Sequence, residues 1–200
     1  MKPGYRRRFS RTERALHWAN AAFFFFLLGT GLVLYLPRLS MAVGRRPLIQ
    51  SLHFYSGIAW VCVLVAIALV GDRRGILRDL REVDGFDGDD FRWLSGRKAP
   101  QGRFNAGQKL NTVLNLAFMV LFLVTGLLLW FGERNTQLRF ASTVILHDGL
   151  MYVSVLLLLG HLYLALIHPT TRHALRGITA GTVSEEWATA HHAKWKTETE

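Results

Sequence analysis

Cysteine is almost missing from this 200-residue chain, and the single one, Cys62, lies inside an apolar run. One thiol excludes an intramolecular disulfide, a CxxC metal site and the CxxCH attachment of a c-type haem, so any prosthetic group is held non-covalently. Acidic residues are scarce, 14 against 24 Lys and Arg, leaving a formal charge of +10. Charged side chains vanish from Leu48 to Val70 and from Leu110 to Phe131. That removes from both stretches the buried ion relay expected of a small transporter. What is present instead is hydrophobic: half of the composition, with thirteen Phe and six Trp. Such a chain belongs in a bilayer.

Four stretches, about residues 16–36, 48–70, 110–131 and 145–168, are each long enough to cross, since about 20 apolar residues span the hydrocarbon core. The first follows a basic head with six Lys or Arg and one Glu in residues 1–14. It is too long for a signal-peptide core and no A-x-A site follows, so it is expected to be an uncleaved helix, capped from Ser10 or Thr12. Residues 71–109 form a polar loop, with short interfacial helices expected around Ile76–Val83 and a solvated acidic run at Asp84–Asp90. Residues 169–200 form a polar tail. Its Trp187, His191, His192 and Trp195 read as an amphipathic contact for the membrane surface or a partner chain. The head, the central loop and the tail hold nineteen Lys or Arg, against five in the two other loops. Positive residues stay inside, so both termini are expected in the cytoplasm, and the charge marks topology rather than a nucleic-acid footprint. The expected fold is an all-α membrane protein, a four-transmembrane-helix bundle forming a single domain over residues 1–200.

The last span, from Ile145 to Pro169, carries His147 and His161. At about 1.5 Å and 100° per residue, these lie about 21 Å apart along the helix and about 40° apart around it. A polar side chain in a span is costly and marks a site with a partner; the plainer alternative is a hydrogen bond to a neighbouring helix. The topology sorts the histidines by depth. His53 and His147 fall near the outer face, His17 and His161 near the cytoplasmic face. Each pair offers one imidazole from each of two helices, as a six-coordinate haem b requires. His168 competes with His161 for the inner place, at about 60° from His147, and geometry leaves that choice open. The glycines of Gly29-Thr30-Gly31 allow either a macrocycle or another helix to approach closely.

Several motifs carry a family resemblance. They are Arg11-Thr12-Glu13-Arg14-Ala15-Leu16-His17-Trp18, Phe104-Asn105-Ala106-Gly107-Gln108-Lys109, Leu146-His147-Asp148, and the closing Gly181-Thr182-Val183 with Trp187-Ala188, His191-His192 and Trp195. Together they resemble the cytochrome b (gamma) subunit of respiratory formate dehydrogenase, over essentially the whole chain. The resemblance implies two b haems ligated by His17, His53, His147 and His161, and so favours His161 over His168. It implies reduction of a quinone, menaquinone or ubiquinone, beside the inner haem at Asn105, Gly107 and Gln108. It also implies a partner iron–sulfur (beta) subunit and, through it, a molybdenum or tungsten (alpha) subunit in the bacterial inner membrane. From the residues alone, that segment reads rather as a helix-entry loop with Lys109 snorkelling to the interface. The chain shows no nucleotide motif, no molybdenum or iron–sulfur ligands and no formate-oxidising site, so it is expected to transfer electrons within an oxidoreductase complex. The rival readings are the cytochrome b of a membrane hydrogenase or thiosulfate reductase, and a haem-free membrane anchor or small transporter.

Overall fold

The computed structural model describes residues 3–195. The elements run β1 (Tyr5–Arg7), α1 (Arg11–Tyr35), α2 (Pro37–Val43), α3 (Arg46–Val70), α4 (Arg73–Asp84), α5 (Gly88–Leu94), α6 (Ala106–Gly132), α7 (Ala141–Leu162), α8 (Leu175–Ala180), β2 (Thr182–Ser184) and α9 (Glu185–His191). A 3-10 turn at Thr136–Leu138 precedes α7 and a π-helical turn at Tyr163–Ile167 extends it. Four helices are long and apolar enough to cross a membrane: Arg11–Tyr35, Arg46–Val70, Ala106–Gly132 and Ala141–Ile167. They turn large apolar residues outward, among them Phe25, Val65, Val120, Ile145 and Leu156. In a helix every internal backbone group is paired, so such faces can meet lipid at no hydrogen-bonding cost.

Helix starts precede the hydropathy boundaries because capping sets them. Glu13 N–H donates to Ser10 Oγ (3.2 Å) while Ser10 N–H donates to Glu13 Oε2 (2.7 Å). This reciprocal box starts α1 at Arg11 rather than at residue 16. Three stretches expected as loop are structured. Pro37, at the first position of α2, turns residues 37–43 into a helix that Gly44 ends with φ 64°. Asp87 caps α5 through the amides of Asp89 and Asp90, so the acidic run is a helix start as well as a charged surface. A β1–β2 ladder pairs Tyr5 with Ser184 and Arg7 with Thr182, a small exception to an all-helical chain.

Contacts divide the chain into two compact units, to both of which α1, α6 and α7 contribute. The first comprises residues up to Arg14, Gly71–Leu116 and Leu157 onward; the second comprises Ala15–Val70 and Ala117–Leu156. The second unit is a bundle of the four long helices that meet through extended side chains. Trp60 of α3 donates from Nε1 to Asn20 of α1 (3.0 Å), Phe54 of α3 stacks on Trp130 of α6 with centroids 4.1 Å apart, and Tyr152 of α7 bonds Tyr35 of α1 (2.5 Å).

The first unit has a small apolar core of Val183, Trp187 and Ala188, with Ala174 and Trp195 packed on it. Gly181, at φ 84°, turns the chain from α8 into β2, and its carbonyl accepts from the amides of Arg8 (2.8 Å) and Phe9 (3.2 Å). A side chain there would meet both an unfavourable φ and the Phe9 carbonyl 3.0 Å away.

Candidate functional site

Threonine in a helix can return its hydroxyl proton to a carbonyl one turn back. Thr30 does so on α1, toward Phe26 O at 3.0 Å, and Thr125 does so on α6, toward Leu121 O at 2.7 Å. Each oxygen keeps a lone pair facing outward, and each meets a histidine from the next long helix. Thr30 Oγ1 lies 2.9 Å from His53 Nδ1 and Thr125 Oγ1 lies 2.7 Å from His147 Nδ1. The glycine after each threonine clears space for the ring. A Cβ on Gly31 would stand 3.3 Å from His53 Cε1, and one on Gly126 would stand 3.9 Å from His147 Cε1. Phe122 backs His147 edge-on at 5.2 Å.

The two imidazoles face each other within the second unit, centroids 6.2 Å apart and planes at 70°. That separation matches two metal–nitrogen bonds of about 2 Å, the length known for zinc–imidazole, plus the inner half of each ring. Among the described residues no group of three or more His, Cys, Asp or Glu gathers to hold a metal ion. A metal between these rings would therefore bring its other donors with it, as a porphyrin does. With both Nδ1 atoms engaged by hydroxyls, Nε2 is the nitrogen available for an iron. The residues fit a bis-imidazole haem.

The other two expected ligands lie in different units. His17 sits in the second turn of α1, edge-on to Trp18 at 5.1 Å. His161 lies in the last turn of α7, one residue before its end at Leu162 and the π-helical turn that follows. His168 closes that turn. Its amide donates to Tyr163 O (2.9 Å) and its Nδ1 lies 3.2 Å from the hydroxyls of both Thr170 and Thr171.

Asn105, Gly107 and Gln108 come together in the first unit, at the start of α6. Gln108 N–H donates to Asn105 Oδ1 (2.9 Å) and Asn105 N–H donates to Gln108 Oε1 (3.1 Å). The pair thus forms a capping box in which the oxygens are used. Their amide NH2 groups have no protein acceptor among the described residues. Gly107 lets Trp93 approach to within 3.1 Å of where its Cβ would be. Lys109 does not snorkel. It is buried, donating to Asp90 and to Gly85 O at 2.7 Å each.

Around this turn lies a buried charge cluster. Arg103 reaches Glu13 (3.2 Å), Glu82 (3.3 Å) and Asp79, and donates to Arg8 O (3.1 Å). Arg8 in turn donates to Arg103 O and to Gln108 Oε1, both at 3.1 Å. Burial, with the neighbouring guanidinium of Arg103, lowers Arg8 to about 10, so it stays charged. Burial and the shared site with Glu13 raise Asp79 to about 7, against the opposing pull of Arg103. His192 is 2% exposed, donates from Nδ1 to Gly102 O (2.6 Å) and packs tilted against Trp187 and edge-on to Trp195. Burial, with Arg8 nearby, lowers it to about 4. The tail histidine is therefore core, not a surface contact.

The hydroxyl roles of Thr30 and Thr125 and the Arg8–Arg103 pair appear only in the structure. A signal for the threonines exists: Thr-Gly-Leu occurs at 30–32 and again at 125–127, ahead of His53 and His147 by 23 and 22 residues. Asp79 and Glu82, three apart on one face of α4, were the corresponding hint of a cation partner.

The prokaryotic cytochrome b561 family model matches residues 8–181. The formate dehydrogenase cytochrome b556 subunit of Haemophilus influenzae is 28% identical over 199 residues, covering 91% of this chain and 78% of the relative. In Escherichia coli K12, the cytochrome b556 subunit of the nitrate-inducible formate dehydrogenase is 25% identical, covering 94% and 88% respectively. A second cytochrome b556 subunit of formate dehydrogenase from that strain is 25% identical, covering 94% and 90%. The chain belongs to the prokaryotic cytochrome b561 family, a family of haem b membrane proteins.

Proposed function

We propose that this chain is the membrane cytochrome b subunit of a formate dehydrogenase complex. On this reading residues 1–200 are one membrane domain of the bacterial inner membrane, with both termini in the cytoplasm. His53 and His147 hold an outer haem b, and His17 and His161 hold an inner one. Asn105, Gly107 and Gln108 receive a quinone on the cytoplasmic side. Partner iron–sulfur and molybdenum or tungsten subunits supply electrons from outside. The observation that carries the reading is the facing of His53 and His147 at 6.2 Å, each with Nδ1 on a hydroxyl. The three formate dehydrogenase relatives supply the complex.

A bound haem supplies one-electron transfer. The chain's residues do the rest. His53 and His147 present two neutral nitrogens from α3 and α7, while Thr30 and Thr125 hold their rings. Asn105 and Gln108 have their oxygens committed to the cap, so what they offer a quinone carbonyl is N–H donation. His168 meets Thr170 and Thr171 through Nδ1 alone, so the choice of His161 as the inner ligand rests on the family resemblance. Electrons moving inward to a quinone protonated from the cytoplasm work against the membrane potential, storing about 2.3 kcal/mol per charge per 100 mV.

The test is to purify the complex from native membranes through a tag on this chain. The expected result is co-purification of iron–sulfur and molybdenum or tungsten subunits with formate-dependent reduction of a menaquinone analogue. Hydrogenase or thiosulfate reductase partners in their place would overturn the assignment to formate dehydrogenase. A chain without haem would leave only an anchor or transporter.

A further inference from the structure

We propose that Thr30 and Thr125 are positioning residues that set the reduction potential and ligand geometry of the outer haem. The proposal rests on the reading that His53 and His147 ligate that haem. The same small device is built twice, on two different helices. A threonine hydroxyl is returned to the carbonyl four residues back, a glycine follows it, and the hydroxyl oxygen meets the Nδ1 of a histidine from the next long helix. With Nε2 given to iron, Nδ1 carries the proton and must donate. A threonine oxygen lies within reach of each ring, and at His53 the Leu27 carbonyl is a second acceptor.

Two consequences follow. An acceptor on Nδ1–H raises the electron density that the imidazole offers the metal, which favours the ferric state over the ferrous and lowers the midpoint potential. The acceptor also fixes rotation of the ring about its Cβ–Cγ bond. The β-branched threonine has its own χ1 restricted by the helix, so each imidazole is anchored to a rigid element. The two anchors lie on α1 and α6, and the 70° between the ring planes is therefore set by the bundle.

The experiment uses the intact complex with Thr30→Val, Thr125→Val and the corresponding Thr→Ser variants, beside His53→Ala. Potentiometric titration reads the two haem midpoints, and EPR of the ferric state reports the angle between ligand planes. Each Val variant is expected to raise the outer midpoint without moving the inner one. A tenfold loss of ferric preference corresponds to about 59 mV for one electron. The outer EPR signal is expected to shift, and outer-haem affinity to fall about 10- to 100-fold. The Ser variants, which keep the oxygen, are expected to stay near wild type. An outer haem retained in both Val variants with unchanged midpoint and EPR signal would overturn the proposal while leaving the ligands standing. Loss of that haem equally from the Ser and Val variants would also overturn it, because side-chain shape and not the hydroxyl would then matter. Loss from the Val variants alone would support it. Retention of both haems in His53→Ala would instead remove the ligand reading itself.

Discussion

A methyl group built on Gly31 would lie 3.3 Å from His53 Cε1, whereas one on Gly126 would lie 3.9 Å from His147 Cε1. The first distance is tight enough that the imidazole must give way; the second is ordinary contact. Gly31→Ala is therefore expected to disturb the outer haem's absorption band and lower its content more than Gly126→Ala, compared in reduced-minus-oxidised spectra of the two variants. His192 makes a different prediction. Its folded value of about 4 lies below the ordinary 6.5. Between those pH values the unfolded chain binds a proton that the folded chain refuses, so stability falls as pH drops from about 6.5 to about 4 and the loss levels off below that. His192→Gln, with an amide to donate to Gly102 O, is expected to flatten that part of the profile in detergent unfolding curves. A slope unchanged in the variant would assign it to other groups.

Helix α6 begins on two residues with two uses. Asn105 caps it and is also a proposed quinone donor, and the uses separate chemically. Asn105→Asp keeps an N-cap of equal quality but removes the amide NH2. Unfolding temperature is expected to hold while the KM for quinone rises; an unchanged KM would reduce Asn105 to a cap. At this scale the sequence was informative where apolar length decides and silent where tertiary contacts decide. The four long helices were legible because each fills a bilayer. Of the two caps the sequence offers, Ser10 and Thr12, Ser10 is the one that starts the helix, with Glu13 as its partner. Helix α5 was not legible, because Asp87, Asp89 and Asp90 look like solvated charge until Lys109 and Lys194 come to meet them from elsewhere in the chain. The ladder of β1 and β2 joins residues from the two ends of the chain, a pairing for which three-residue strands leave no periodic trace. His192 looked like a surface residue because nothing local predicts that Gly102 accepts its proton.

Across the whole molecule the chemistry is divided between the units. The second holds the facing imidazoles of His53 and His147; the first holds the Asn105–Gln108 turn and the buried cluster of Arg8, Arg103, Glu13, Asp79 and Glu82. Spacing and depth pair His53 with His147, and the structure brings those two rings together. The threonines behind them were not legible, because a hydroxyl in an apolar span reads as a tolerated polar residue until its partner is seen. In the proposed function His17, His53, His147 and His161 hold two haems, in pairs drawn from different helices. The most direct measurement is pyridine haemochrome quantitation on the purified chain, wild type beside single alanine variants at His17, His53, His147, His161 and His168. Two haems b per chain are expected. One is lost on changing either His53 or His147, the other on changing either His17 or His161, and neither on changing His168. A wild-type chain with one haem or none, or a His53→Ala variant that keeps both, would contradict that assignment.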